Sequence, residues 1–174
     1  MLAPAPISGF STIARCHPSR IIALGHGENS LYSLPGEITA WSKEVKEERL
    51  DLVVADIRDS NRLKAIFKHY RPEVVYHAAA HKHVPLMEDN LEEAITNNIE
   101  GTRSLVGCCL EYDVDHLVLI STDKAVNPSN VMGATKRLAE LLVRGAARRT
   151  GRSFAAVRFG NVLGSRGSVI PIFQ

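Results

Sequence analysis

Five short apolar runs constrain this chain more than any other feature. They are Arg20-Ile21-Ile22-Ala23-Leu24, Asp51-Leu52-Val53-Val54-Ala55-Asp56, Glu73-Val74-Val75-Tyr76-His77, His116-Leu117-Val118-Leu119-Ile120 and Ser153-Phe154-Ala155-Ala156-Val157. Each has strand length, and the runs are near-continuous rather than alternating apolar with polar. A strand written this way is covered on both faces. Segments of helical spacing separate the runs, so strand and helix alternate along the chain. That alternation predicts a parallel sheet with helices on both sides.

The intervening segments carry helix and turn signals. Gly25-His26-Gly27 closes the first run, and Asn29 or Ser30 can cap the next segment. Pro35-Gly36 interrupts, and Glu37 to Arg49 then places Ile38, Trp41 and Val45 on one side of a helix. Asp59 or Ser60 caps a helix through His69 with Leu63, Ile66 and Phe67 inward. Arg71-Pro72 makes a turn. One long helix is expected from Met87 or Leu91 to Tyr112, and another from Asn130 to Arg149. Pro4 and Pro6 argue against an interior strand near the start.

Composition removes several classes of function. A net charge of +2 gives no general electrostatic case for nucleic acid or an anionic membrane. The longest apolar runs fall well short of the roughly 20 residues a membrane helix needs. The opening MLAPAPISGF has neither the charged nor the apolar region of a signal peptide. Cys16, Cys108 and Cys109 make no disulfide framework, which fits a reducing cytoplasm. A length of 174 residues is enough for one domain with a full core.

In such sheets ligands sit beyond the carboxyl ends of the strands. The residues just after each run are therefore the candidate site: Gly25, His26 and Gly27; Asp56 and Ile57; Ala78 to Lys82; Ser121, Thr122, Asp123 and Lys124; and Arg158 to Asn161. Asp123 beside Lys124 is the adjacent acid–base pair among them. Met132 and Lys136, four apart at a helix start, are expected to face the same crevice.

Other groups have plainer readings. His77, His81 and His83 could suggest a metal, but the set lacks a fourth ligand and has Lys82 in its midst, so surface histidines on a strand-end loop are expected. Arg144, Arg148, Arg149 and Arg152 lie at a helix C-terminus, where cations complement the dipole. Cys108 and Cys109 read as packed thiols.

The stretch LVLISTDKAVNPSNVMGATK, Leu117 to Lys136, resembles the short-chain dehydrogenase/reductase arrangement in which Tyr-x-x-x-Lys comes after a strand ending in Ser or Thr, with Met132 where the tyrosine would stand. STDKAVNPSNVMGATKR, with VRFGNVLGSRGSVIP after it and HAAAHKHVPLMEDN before it, is similar to the CapD-type polysaccharide biosynthesis proteins. These are nucleotide-sugar 4,6-dehydratases and related epimerases of the extended superfamily. The resemblance runs from about Ile13 to the end. It implies conversion of a UDP-linked N-acetylhexosamine to a 4-keto-6-deoxy sugar, with an epimerase of the same family or a non-catalytic interaction fragment as the alternatives.

The same resemblance implies the roles. Methionine cannot transfer a proton, so Lys124 is expected as the base at C5, Asp123 as the acid at the C6 oxygen and Thr122 as a hydroxyl near O4. An unperturbed lysine titrates near 10.4, too high for this duty, and the charge of Lys136 is expected to help lower it. Lys136 would hold the nicotinamide ribose, and Asn98 would approach the cofactor. Asp56 and Ile57 would sit by the adenine, and Ala78, Ala79 and Ala80 by the pyrophosphate and ribose. Lys82 and Asn161 would reach the sugar nucleotide, and Ser168, Val169 and Pro171 would begin the uridine pocket. Gly25 stands where an NAD-preferring relative places an acid, so NADP is favoured over NAD, with His26 and Ser30 beside it.

The Gly-x-Gly-x-x-Gly loop of the family is missing, and MLAPAPISGFST occupies its place. The fold expected is an incomplete Rossmann-type doubly wound parallel sheet without its usual first strand, which would lie between the strands at Arg20 and Glu73. Residues 1–174 would be a single partial NAD(P)-binding domain, with 158–174 the start of the substrate-binding portion. As a piece truncated at both ends, it is expected to bind the cofactor poorly alone. It would pair with a full-length homologue or with itself, and meet membranes only through segments it does not carry.

Overall fold

In the computed structural model, residue 13 and residues 16–35 and 50–160 are described. The helix expected over Glu37 to Arg49, with Trp41, lies outside them, as do the proline-bearing start and the stretch with Asn161, Ser168, Val169 and Pro171. Among the described residues there are five strands: β1 Ile21–Gly25, β2 Leu50–Val54, β3 Val74–His77, β4 His116–Thr122 and β5 Ser153–Phe159. All are paired in parallel, in two pieces of order β1-β2 and β3-β4-β5. Among the described residues β1 and β3 are not hydrogen-bonded to each other.

The helices are α1 Glu28–Tyr32, α2 Ser60–Tyr70, α3 Val84–Asp89, α4 Leu91–Ile95, α5 Gly101–Glu111 and α6 Val131–Thr150. Asp59 caps α2 by accepting from the Arg62 amide, as the sequence predicts. The expected cap of α1 is corrected: Gly27 precedes it, and neither Asn29 nor Ser30 is the cap.

Of the two starts expected for the long helix up to Tyr112, Leu91 holds and Met87 is corrected. Asn90, at φ −131° and ψ 61°, separates α3 from α4. A π turn, Thr96–Glu100, then joins α4 to α5. Its extra residue per turn disrupts the ordinary ladder and turns Asn97 and Asn98 inward, where both are buried.

One core cluster joins the two pieces of sheet. Ile22 and Leu24 of β1, Val53 of β2, Val75 of β3, Leu117 and Leu119 of β4 and Phe154 of β5 meet Leu63, Ile66 and Phe67 of α2. Leu105, Val106, Cys108 and Cys109 of α5 and Ala139, Val143 and Ala146 of α6 complete it. The alternate residues of β1, Ile21 and Ala23, pack with Leu31 and Leu34 in a separate cluster. That is why β1 is buried at every position. A two-sided strand of this kind belongs to an open sheet wound on both faces.

Two predicted strands run further than their apolar stretches. Ser121 pairs with Arg158 and Thr122 with Phe159, so β4 and β5 continue to the edge of the site. Backbone pairing continues past the last purely apolar residue because parallel ladders are set by the neighbouring strand, not by side-chain polarity. Within each piece the carboxyl ends of the strands therefore point the same way.

Candidate active site at the carboxyl end of the sheet

Thr122 ends β4 and caps a 3₁₀ turn, Asp123–Ala125. Its hydroxyl donates to Asp123 Oδ1 at 2.9 Å and accepts from the Lys124 amide at 3.3 Å. Lys124 Nζ donates to the same Asp123 Oδ1 at 3.3 Å. The Thr122 hydroxyl, then Lys124, hold the Asp123 carboxyl below its usual range. The side chains are open, at 39% for Lys124 and 59% for Asp123, so water screens this pair. Hydroxyl, carboxylate and ammonium therefore share one turn beyond the central strand of its piece.

Helix α6 supports that turn from below. Asn130 accepts from the Gly133 amide at 2.8 Å, and Glu88 of α3 accepts from the Val131 amide at 2.7 Å. Two side chains thus satisfy amides that a helix start leaves without partners. Gly133 is required by close approach: a Cβ there would collide with the Lys124 carbonyl oxygen. The helix can sit directly under the turn only because that position has no side chain.

Lys136 is 7% exposed and donates to the Ile120 carbonyl of β4. Burial pushes its pKa down to about 8, opposed by the charge of Glu140. Met132 departs from expectation. It is 3% exposed and packs with Met87 and Ala94 rather than standing open in a crevice. α3 and α4 cover the first turn of α6, and an apolar side chain gains by being buried there.

Asn98 acts on protein rather than standing open to a ligand. Its amide accepts from the His81 backbone N–H at 2.8 Å and donates to the His81 carbonyl at 3.1 Å. It also donates to Thr135 Oγ1 at 3.0 Å, and Thr135 donates on to the Met132 carbonyl at 2.8 Å. The loop after β3 is thereby tied to α6. Beneath it, the Thr102 hydroxyl donates to the Asn98 carbonyl at 2.6 Å, so the 2.8 Å contact with His77 must have Nε2–H as donor. Burial, with the charge of Lys136, drives His77 down to about 3 and keeps it neutral.

Of the remaining predicted residues that are described, Gly25 ends β1 and the others follow β1, β2 or β3 in the chain. The Gly25 carbonyl accepts from the Ala55 amide at 3.0 Å. His26 is exposed and Ser30 half-buried. Ala78, Ala79 and Ala80 are half-buried with no side chain beyond Cβ, and Lys82 is exposed. Ile57 is buried against Gly101, where a Cβ would come within 2.6 Å of Ile57 Cδ1. Asp56 is engaged by Arg58, whose Nη2 donates to Oδ2 at 2.6 Å. That bond is the main reason its carboxyl titrates low. Arg58 also reaches Glu93 at 3.1 Å, and Glu93 meets His81 at 3.0 Å.

His77 and His81 thus have separate partners, and no cluster able to hold a metal occurs among the described residues. Arg152 turns to the Cys109 and Val114 carbonyls at 3.2 Å and to Asp113 at 2.6 Å. Burial raises the Cys108 thiol to about 11 and the Cys109 thiol to about 12, leaving both protonated and unreactive.

Sequence reasoning did not single out Glu88, Gly133, Thr102 or Glu140 as parts of the site. Glu140 had a usable signal, since it stands four positions after Lys136 on α6. Glu88 and Thr102 had none, because their partners come from other elements.

Comparison with known proteins bears on the family and the fold. The chain is 51% identical over 165 residues to the capsular polysaccharide biosynthesis protein CapD of Staphylococcus aureus, covering 93% of this chain and 27% of that one. It is 43% identical over 124 residues to a UDP-N-acetylglucosamine 4,6-dehydratase (inverting) of Campylobacter jejuni, covering 70% and 36%. It therefore spans between about a quarter and a third of these relatives. The crystal structure of Pen from Bacillus thuringiensis superposes with a TM-score of 0.84 at 32% identity, over 98% of this chain and 53% of that one. The dTDP-glucose 4,6-dehydratase DesIV from Streptomyces venezuelae, solved with NAD bound, superposes with a TM-score of 0.77 over 98% of this chain and 59% of that one. At 18% identity that likeness concerns the fold, which is the Rossmann type of the short-chain dehydrogenase/reductases. The family model described as polysaccharide biosynthesis protein matches residues 9–174, and the chain belongs to that family.

Proposed function

We propose that this chain carries the catalytic turn of a nucleotide-sugar 4,6-dehydratase, acting on a UDP-linked N-acetylhexosamine in polysaccharide synthesis. The observation that carries the reading is the Thr122-Asp123-Lys124 turn, with its three different functional groups hydrogen-bonded at the end of β4.

A nicotinamide cofactor, when bound, supplies reversible oxidation of the sugar ring. The residues present fit it in part: Ala78 to Ala80 leave backbone approachable, and Lys136 brings a buried ammonium to the end of β4. Gly25 offers no carboxylate for a ribose 2′-hydroxyl, which supports NADP over NAD. Asp56 and Ile57 would border the adenine, while Asn98 would act indirectly, by holding the His81 backbone. Lys82, and beyond the described residues Asn161, Ser168, Val169 and Pro171, would take the sugar nucleotide.

Lys124 removes the proton at C5, made acidic by the neighbouring C4 ketone, and Asp123 protonates the C6 hydroxyl as it leaves as water. The C5–H pair becomes the new C5–C6 double bond, so electrons balance. Thr122 hydrogen-bonds O4. In the free protein Asp123 and Lys124 form an exposed ion pair, with the proton on the wrong partner for these roles. Substrate that covers the pair removes its water. Charge separation is then disfavoured, and the proton moves from Lys124 to Asp123 across their existing hydrogen bond.

The test is wash-in of deuterium at C5 of UDP-N-acetylglucosamine, read by NMR with NADP+ or NAD+ supplied. Lys124→Ala is expected to lower exchange by about 10²-fold or more. Undiminished exchange in that variant removes Lys124 as the base.

A further inference from the structure

A buried carboxylate outside the catalytic turn accepts four hydrogen bonds. Glu140, on α6, is 2% exposed. Its Oε1 accepts from Ser121 Oγ at 2.7 Å and from Arg158 Nε at 2.8 Å. Its Oε2 accepts from Arg158 Nη2 at 2.7 Å and from Arg137 Nη1 at 3.0 Å. The guanidinium of Arg158 therefore meets it as a two-pronged fork, the most directional ion pair available to a carboxylate.

Its partners stand where the site is built. Ser121 immediately precedes Thr122 on β4, and Arg158 is its register partner on β5. One turn earlier on α6, Lys136 holds the Ile120 carbonyl. Two successive residues of β4, Ile120 and Ser121, are thus gripped by two side chains of one helix, just before the Thr122-Asp123-Lys124 turn. Gly133 of the same helix lies against the Lys124 carbonyl.

We propose that Glu140 is a positioning residue: by locking Ser121 of β4 to Arg158 of β5, it sets where the Thr122–Lys124 turn stands over the strand ends. It touches no reacting atom. The inference rests on the proposed function only for its kinetic consequence, because the geometric lock exists whatever the turn does. The charged groups facing Glu140 are Arg158 from β5 and Arg137 and Lys136 from α6, so truncation also leaves excess positive charge beside the turn. The same bonds to Arg158, Ser121 and Arg137, in that order of effect, hold the Glu140 carboxyl down to about 2 and keep it ionised.

Amide hydrogen exchange and steady-state kinetics on the purified protein test this together, in wild type, Glu140→Ala, Glu140→Gln and Arg158→Lys. Exchange over residues 120–124 is expected to quicken about tenfold or more in Glu140→Ala, with β2 and α2 within about twofold of wild type. Glu140→Gln keeps the shape and one acceptor, so it should fall between. With substrate, kcat should drop about tenfold while KM changes less than about twofold. Should Glu140→Ala fail to fold, Glu140→Gln and Arg158→Lys carry the same comparison. Quickened exchange spread evenly over all strands assigns Glu140 to general stability and overturns the proposal, as does unchanged exchange at 120–124. If wild type binds NADP+ and UDP-N-acetylglucosamine yet shows neither turnover nor exchange at C5, the dehydratase reading fails, and the amide-exchange pattern still decides the role of Glu140.

Discussion

His77 is neutral because its ring is buried and donates Nε2–H to Thr102, whose own hydrogen is committed to the Asn98 carbonyl. Its pKa falls from 6.5 to about 3, so the unfolded chain binds this proton first as pH drops. The contribution to stability is therefore fully present above pH 6.5 and is lost as pH falls toward about 3. Urea midpoints measured from pH 7 to 5, above the ordinary carboxylate range, are expected to decline in wild type. His77→Gln, which retains an N–H donor, should flatten that decline. An equal slope in the variant would assign it to other groups. At this scale the sequence marked His77 only as one of three histidines near a loop. Its true partner, Thr102, is 25 residues away and could not be read from spacing.

Local elements were legible where their signals are local. Asp59 caps α2 and Asn130 caps α6, each by accepting from an amide three residues on. The Asn130→Ala variant is expected to cost about 1 kcal/mol in unfolding free energy, measured by urea titration. A negligible loss would mean that Glu88, accepting from Val131, satisfies the helix start by itself. The π turn was not legible, since its cause is tertiary: Asn98 must point at the His81 backbone while α4 and α5 continue past it. Periodicity over residues 87–112 reads as one helix because one inserted residue shifts the apolar phase by only a fraction of a turn.

For the whole molecule, the two pieces of sheet share one core. Leu117 is fully buried in the cluster that also contains Ile22, Leu24 and Val53. Leu117→Ala should cost about 2–5 kcal/mol, and amide exchange should quicken in β1 and β2 as well as in β3, β4 and β5. Confinement of the effect to β3–β5 would show that the pieces unfold separately. No helix among the described residues is long and apolar enough to cross a membrane.

The sequence by itself determined the order of strands and helices, the parallel pairing and the location of the candidate turn after β4. Those features come from strand-sized apolar runs, capping residues and the rule that sites form at strand ends, all short-range or topological. Only the tertiary structure decided that Met132 belongs to the core while Lys136 holds the strand, that Asn98 serves the His81 backbone, and that Glu140 joins Ser121 to Arg158. Each of those outcomes depends on which distant element supplies the partner for a buried polar group. Burial without a partner costs too much to leave such a group unsatisfied. The adjacent Asp123 and Lys124 were visible in the chain; the contacts that hold their turn in place came from three-dimensional packing.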